Sequence, residues 1–221
     1  RFCPHRQLDR TASVEPDPSV GEELEQAAQR ARQRSGFAAA SLAYERAASL
    51  TADEEHRARR LTASAENAWL AGSIERALML LEGARPLVSE PIQRADIDRD
   101  LGLIEMTRGV PADACRLLLR AAADVSPSDS ERALQLLNIA GVAAAYAGDQ
   151  EAAAAIGEAA RDLVTEEPPF LRMLAELLIG LGAHAQGDFA GGAARLRVAI
   201  ELAEELDDDA ATAEPVALLF A

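Results

Sequence analysis

Three histidines, two cysteines and one acidic run are the side chains of this sequence that could hold a metal or act as a nucleophile. His5, His56 and His184 share no metal-ligand spacing, and Cys3 and Cys115 make no C-x-x-C pair and no disulfide framework. Asp207-Asp208-Asp209 falls where a turn between helices is expected, so its carboxylates read as solvated and not as a cation site. No G-x-S-x-G or H-E-x-x-H pattern occurs. All 22 basic residues are arginine, so there is no Walker-A phosphate loop, no Schiff-base lysine and no lysine general base. The arginine clusters at 30, 32, 34 and at 57, 59, 60 are interrupted by Gln and Ala. The second can form helical ion pairs, Glu54 with Arg57 and Glu55 with Arg59, so both read as solvated faces. With 37 acids against those 22 bases the net charge is −15, the wrong sign for a duplex-binding surface. The chemistry left is binding without catalysis; no enzyme and no metal site are expected.

The elements that would position a binding surface are helices. Alanine occurs 49 times and leucine 29 times in 221 residues, and aromatics make up only 4%. That is a helix composition and not a sheet composition. The longest charge-free apolar stretches, 139–147 and 177–185, fall far short of the roughly 18–20 residues that span a bilayer, so no membrane segment is expected. The sequence shows no signal-peptide pattern and reads as a piece of a longer cytoplasmic protein.

An internal repeat is legible by spacing. A Gly followed five residues later by a small residue recurs as Gly72–Ala77, Gly109–Ala114, Gly148–Ala153 and Gly187–Gly192. Ser35–Ala40 has the same length with its glycine shifted by one. Seven residues after each anchor stands an alanine (47, 84, 121, 160, 199), two helical turns on and hence on the same face. Twelve before each anchor stands Ala28, Ala65, Gly102, Gly141 or Gly180. The pattern predicts helix pairs over 19–50, 53–86, 91–124, 129–164 and 169–206, an irregular lead-in over 1–18 and the start of a further truncated repeat over 207–221. Ser128 with Glu131 reads as a capping box, and Gly-Asp at 148–149 and 187–188 as a helix stop followed by a cap.

This spacing resembles the tetratricopeptide repeat (TPR). Leu101-Gly102 and Ile179-Gly180 match the family's helix-A signature, and the alanine pairs match helix B. The large residue four after the anchor is Tyr44, Leu81, Leu118 and Leu196, with a departure at Gly157. The resemblance implies an all-α, right-handed superhelix (α-solenoid) of about five TPR-like helix-turn-helix repeats. The segments around 36–84 and 187–209 further resemble the helical-repeat region of large ATP-binding LuxR-family transcriptional regulators of high-GC actinobacteria. That resemblance implies a signal-sensing or protein-interaction segment. ATP would bind only in a missing N-terminal domain, and DNA only through a missing C-terminal helix-turn-helix.

In such stacks helix A lines the concave face. The register then places Trp69, Arg99, Leu103, Met106, Asn138, Val142, Tyr146, Leu174, Leu177, Leu181 and His184 along the groove. The first two units are mainly polar there, whereas the last three set an apolar wall around Arg99, Asn138, Tyr146 and His184, the make-up of a ligand or peptide site. Trp69 reads either as an anchor or as a core aromatic. The groove would hold a small effector, a protein partner or the flanking domains. The alternative is a structural assembly surface with no small-molecule ligand, such as a homodimer contact.

Overall fold

The computed structural model describes residues 18–164 and 168–206. Among them are ten α-helices and no strand, arranged as five antiparallel pairs. Unit 1 pairs α1 (Pro18–Gln33) with α2 (Phe37–Ser49), and unit 2 pairs α3 (Glu54–Leu70) with α4 (Ile74–Ala84). Unit 3 pairs α5 (Pro91–Thr107) with α6 (Pro111–Val125), and unit 4 pairs α7 (Ser130–Ala147) with α8 (Gln150–Arg161). Unit 5 pairs α9 (Pro169–Ala185) with α10 (Phe189–Glu205). A single 3-10 turn, Arg85–Leu87, extends α4. The chain runs 1–17 and 207–221, with the expected lead-in, further repeat and acidic run, lie outside the described residues, as do Cys3 and His5.

Each unit turns between its two helices at a left-handed residue. Gly72, Gly109, Gly148 and Gly187 have φ of 78, 83, 65 and 85°, a region where a side chain is strained and glycine is not. Unit 1 has its glycine one position later, so Ser35 takes the left-handed place at φ 58°. Ser35→Gly is therefore expected to raise stability by about 0.5–1 kcal/mol in urea denaturation. Asp53, Glu90, Asp129, Asp149 and Asp188 cap the helices that follow them by accepting a backbone N–H three residues on. The cap of α7 is thus Asp129 and not Ser128. The chain reaches Ser128 while still closing α6, and its hydroxyl donates to the Val125 carbonyl.

The three columns of small residues form the seams of the stack. Ala28 and Ala65 of helix A, and Ala40, Ala77, Ala114, Ala47, Ala84, Ala121 and Ala160 of helix B, are fully or almost fully buried. In units 3 and 5 the helix-A glycine receives the large side chain of its own helix B. A Cβ on Gly102 would lie 2.8 Å from Leu118 Cγ, and one on Gly180 would lie 2.8 Å from Leu196 Cγ. Unit 4 departs from this. Its helix B has Gly157 where the others have a large residue, so α9 fills in from the next unit. Gly157 packs against the backbone of Gly182, and Leu178 approaches Gly141, 3.1 Å from where its Cβ would be.

Several buried polar side chains are paired between elements. Asp98 of α5 accepts from Arg85 Nε at 2.5 Å and Nη2 at 3.0 Å, and Glu176 of α9 takes Arg195 of α10 at 3.0 Å on each oxygen. Ser41 and Ser64 meet at 3.2 Å between α2 and α3.

Candidate binding surface of units 3 to 5

The predicted groove residues separate into three groups by depth. Asn138, Val142 and Leu174 are buried, Leu174 within the core cluster of units 3–5, so their side chains do not line an open groove. The physical reason is the small-residue seam. Alanine and glycine seams let neighbouring helices approach closely, and side chains on the flank of the expected stripe are buried by that approach. Asn138 Oδ1 is left there without a hydrogen-bond partner among the described residues.

Trp69, Leu103 and Met106 are half-buried and packed on the core, Trp69 against the cluster of units 2 and 3. Leu177 is half-buried on α9. Tyr146, Leu181 and His184 reach solvent, with Tyr146 at 76% exposure.

Arg99 belongs to a polar stretch of the same face. Its Nη2 donates to Asp100 Oδ1 at 3.0 Å, and its Nη1 lies 3.6 Å from Asp96. Asp96 also pairs with Arg132 of α7, and Arg32 of α1 pairs with Glu66 of α3 at 3.1 Å. These are bridges between successive A helices and cross the repeat boundaries. A cavity of about 300 Å³ opens between α3 and α5, lined by Arg59, Thr62, Glu66, Gln93 and Asp96 among others. Arg57 pairs with Glu54 at 3.6 Å, whereas Glu55 receives the Ser89 hydroxyl.

Burial pushes the Asp100 carboxyl above the usual carboxylate range, and Glu66 and Asp96 add to this while Arg99 opposes it. A carboxyl raised in the folded state binds its proton more tightly there than in the unfolded chain. Its ionisation therefore costs stability as pH rises through the folded value. Asp100→Asn should thus raise the urea midpoint at pH 7, where Arg99 still has Asp96. The gain should vanish below about pH 3.9, the value of an unfolded aspartate. An equal gain at both pH values would refute this.

The apolar feature of the surface is a second cavity, of about 430 Å³, where the A–B turns of units 4 and 5 lie side by side. Its walls are Gly141, Ala144 and Ala145 of α7, Ala153 and Ile156 of α8, and Leu178, Leu181 and His184 of α9. Gly148, Asp149, Gln150, Ala185, Gly187 and Phe189 complete its lining. The cavity lies beside the departure in unit 4: position 157 carries no side chain, and Leu178 of α9, which takes the place against Gly141, forms one of the cavity walls. His184 meets Phe189 edge-to-face, with ring centroids 4.7 Å apart. Phe189 itself is 62% exposed.

Leu181 and His184 were legible from the register. Phe189, Ile156 and the small residues beside them were missed, although the Gly157 departure was the signal that could have found them.

Among the described residues no three His, Cys, Asp or Glu side chains converge as a metal cluster. No described helix is long and apolar enough to cross a membrane. The Cys115 thiol is buried, and burial, helped by the charge of Asp149, pushes its pKa up, so it packs in the core and is not a ready nucleophile.

Solved structures share this arrangement. BtubC (BKLC) from P. vanneervenii superposes with a TM-score of 0.63 at 19% identity, covering 85% of this chain and 81% of that one. A putative kinesin light chain of Podosopora anserina with nearly identical TPR-like repeats gives 0.60 at 16% identity, over 86% and 97% of the two chains. The fold is a TPR-like α-solenoid. The MamA RS-1 ArsTM double mutant is a third solenoid of similar extent, at 0.61 and 17% identity over 88% of this chain and 99% of that one. No family model matches the sequence, and no curated protein matches it. At these identities the likeness is one of fold, and a solenoid's function lies in its surfaces.

Proposed function

We propose that this chain is a non-catalytic protein-interaction arm that engages its partner through the apolar surface of units 4 and 5. The observation that carries the reading is the 430 Å³ cavity, lined in part by the exposed Leu181 and Phe189. An exposed aromatic at an apolar recess is what protein recognition uses as an anchor. The test compares proteins cross-linked to the wild-type chain and to Leu181→Arg in cell extract. Loss of a defined partner with circular dichroism unchanged supports the reading, and identical profiles overturn it.

The finer form of the proposal is that the arm is the sensor or interaction segment of a LuxR-type transcriptional regulator and biases flanking ATP-binding and DNA-binding domains. It rests on the sequence resemblance of 36–84 and 187–209. The flanking coding sequence tests it directly: a phosphate loop upstream and a helix-turn-helix downstream are expected, and their absence would sink it. A small effector in the same cavity is the sensing version. It predicts a thermal shift with some metabolite that disappears in Leu181→Arg.

The second reading, an assembly surface without ligand, draws on α10, where Ile200 is 58% exposed. Under it the sedimentation mass is dimeric and Ile200→Glu makes it monomeric; a monomeric wild type rejects it.

A further inference from the structure

The cavity of units 4 and 5 lies at the edge where turns stack, and the charges around that edge define what fits there. Four helix ends meet at it: the C-termini of α7 and α9 and the N-termini of α8 and α10. Helix-end partial charges of about −0.5 and +0.5 cancel in such a set of two and two. The side chains do not cancel. Asp149 lines the cavity, Glu151 follows it on α8, Asp188 precedes Phe189, and all three are exposed. Asp149 and Asp188 each accept a helix-cap N–H on Oδ1 and remain exposed. No arginine lines the cavity. The aromatic face of Phe189 at the rim adds an attraction for cations.

We propose that this edge cavity receives an apolar side chain of a partner protein segment that carries Lys or Arg immediately beside it. The proposal rests on the protein-interaction reading and adds the chemistry of the partner. The apolar group enters between α7, α8 and α9, and the cation sits over Asp149, Glu151, Asp188 and the Phe189 ring. The site is at the turn edge of the stack and not in the polar cleft between α3 and α5.

The experiment is selection from a random twelve-residue peptide library displayed on phage, followed by fluorescence anisotropy with the most enriched synthetic peptide. Sequences joining a large apolar residue to Lys or Arg are expected. The enriched peptide should bind at least fivefold more weakly to the triple variant Asp149→Asn, Glu151→Gln, Asp188→Asn. Asparagine caps helices as well as aspartate does, so this variant keeps its fold. Binding should also weaken as salt rises from 50 to 500 mM.

Enriched peptides with neutral or acidic flanks that lose binding in Leu181→Arg would overturn the charge assignment and leave the interaction reading standing. Peptides insensitive to Leu181→Arg would place binding elsewhere and overturn the site. No enrichment over an unrelated helical protein would overturn both. A dimeric mass that becomes monomeric in Phe189→Glu would make a second copy the occupant and overturn the proposal.

Discussion

Gly182→Ala should be among the most damaging single substitutions in the chain, lowering stability by about 1–3 kcal/mol. In a protein of this size that is a melting-point loss of about 2–4 °C per kcal/mol. A Cβ on Gly182 would lie 2.7 Å from Gly157 Cα and 3.0 Å from the Ala153 carbonyl oxygen. Both atoms are backbone, and a side chain cannot rotate away to make room. One of the helices α8 and α9 has to move, and α9 also carries Leu178 and Ile179 into the core. Gly102→Ala is the instructive control. Its Cβ would come just as close, at 2.8 Å, but to side-chain atoms of Leu118 that can shift. Thermal denaturation of the two variants should therefore show the larger loss for Gly182→Ala. A Gly182→Ala protein as stable as the wild type would mean that α8 and α9 do not cross where these glycines put them.

The contrast between those two glycines shows what was legible in the sequence. Spacing alone marks Gly102, Gly141 and Gly180 as seam residues, because a costly mid-helix glycine that recurs in register needs a packing reason. It also marks Gly157 as a break in the pattern. It does not say what replaces the missing large residue, since Gly182 belongs to no column and meets Gly157 only after the chain has turned back. The binding surface follows the same logic. Tyr146, Leu181 and His184 reach solvent, whereas Asn138, Val142 and Leu174 on the same two helices are buried. A fixed register assigns a direction to each side chain, but the depth of that side chain depends on how closely two helices approach. That distance is set by pairs such as Gly157 and Gly182 that no single-helix periodicity contains. The cavity is a product of this second level of order, and so is its acidic rim, which needs the turns of two units side by side.

The other large effect concerns the first two units, and its asymmetry is the point. Arg60 of α3 is 3% exposed; its Nε donates to Glu25 of α1 at 2.8 Å and its Nη1 to the Thr51 hydroxyl at 2.5 Å. A longer bond, 3.3 Å, reaches the Ala47 carbonyl at the end of α2, and Nη2 has no partner among the described residues. One side chain thus ties α1, α2 and α3 together. Glu25→Ala removes only a partly exposed acid, yet it strands a buried guanidinium and should cost about 2–4 kcal/mol. Arg60→Met removes the buried charge itself and leaves an unbranched apolar side chain in the space. Glu25 is near enough to solvent to rehydrate, and Thr51 keeps its own bond to the Ala47 carbonyl. That change should cost under about 1.5 kcal/mol, because apolar replacement of a buried ion pair is often close to neutral. The double variant should then be more stable than Glu25→Ala alone, a coupling that a double-mutant cycle in urea reads directly. If Arg60→Met proves more damaging than Glu25→Ala, the guanidinium contributes more through its bonds to α2 than its burial costs, and the ion pair is a net source of stability for the first two units.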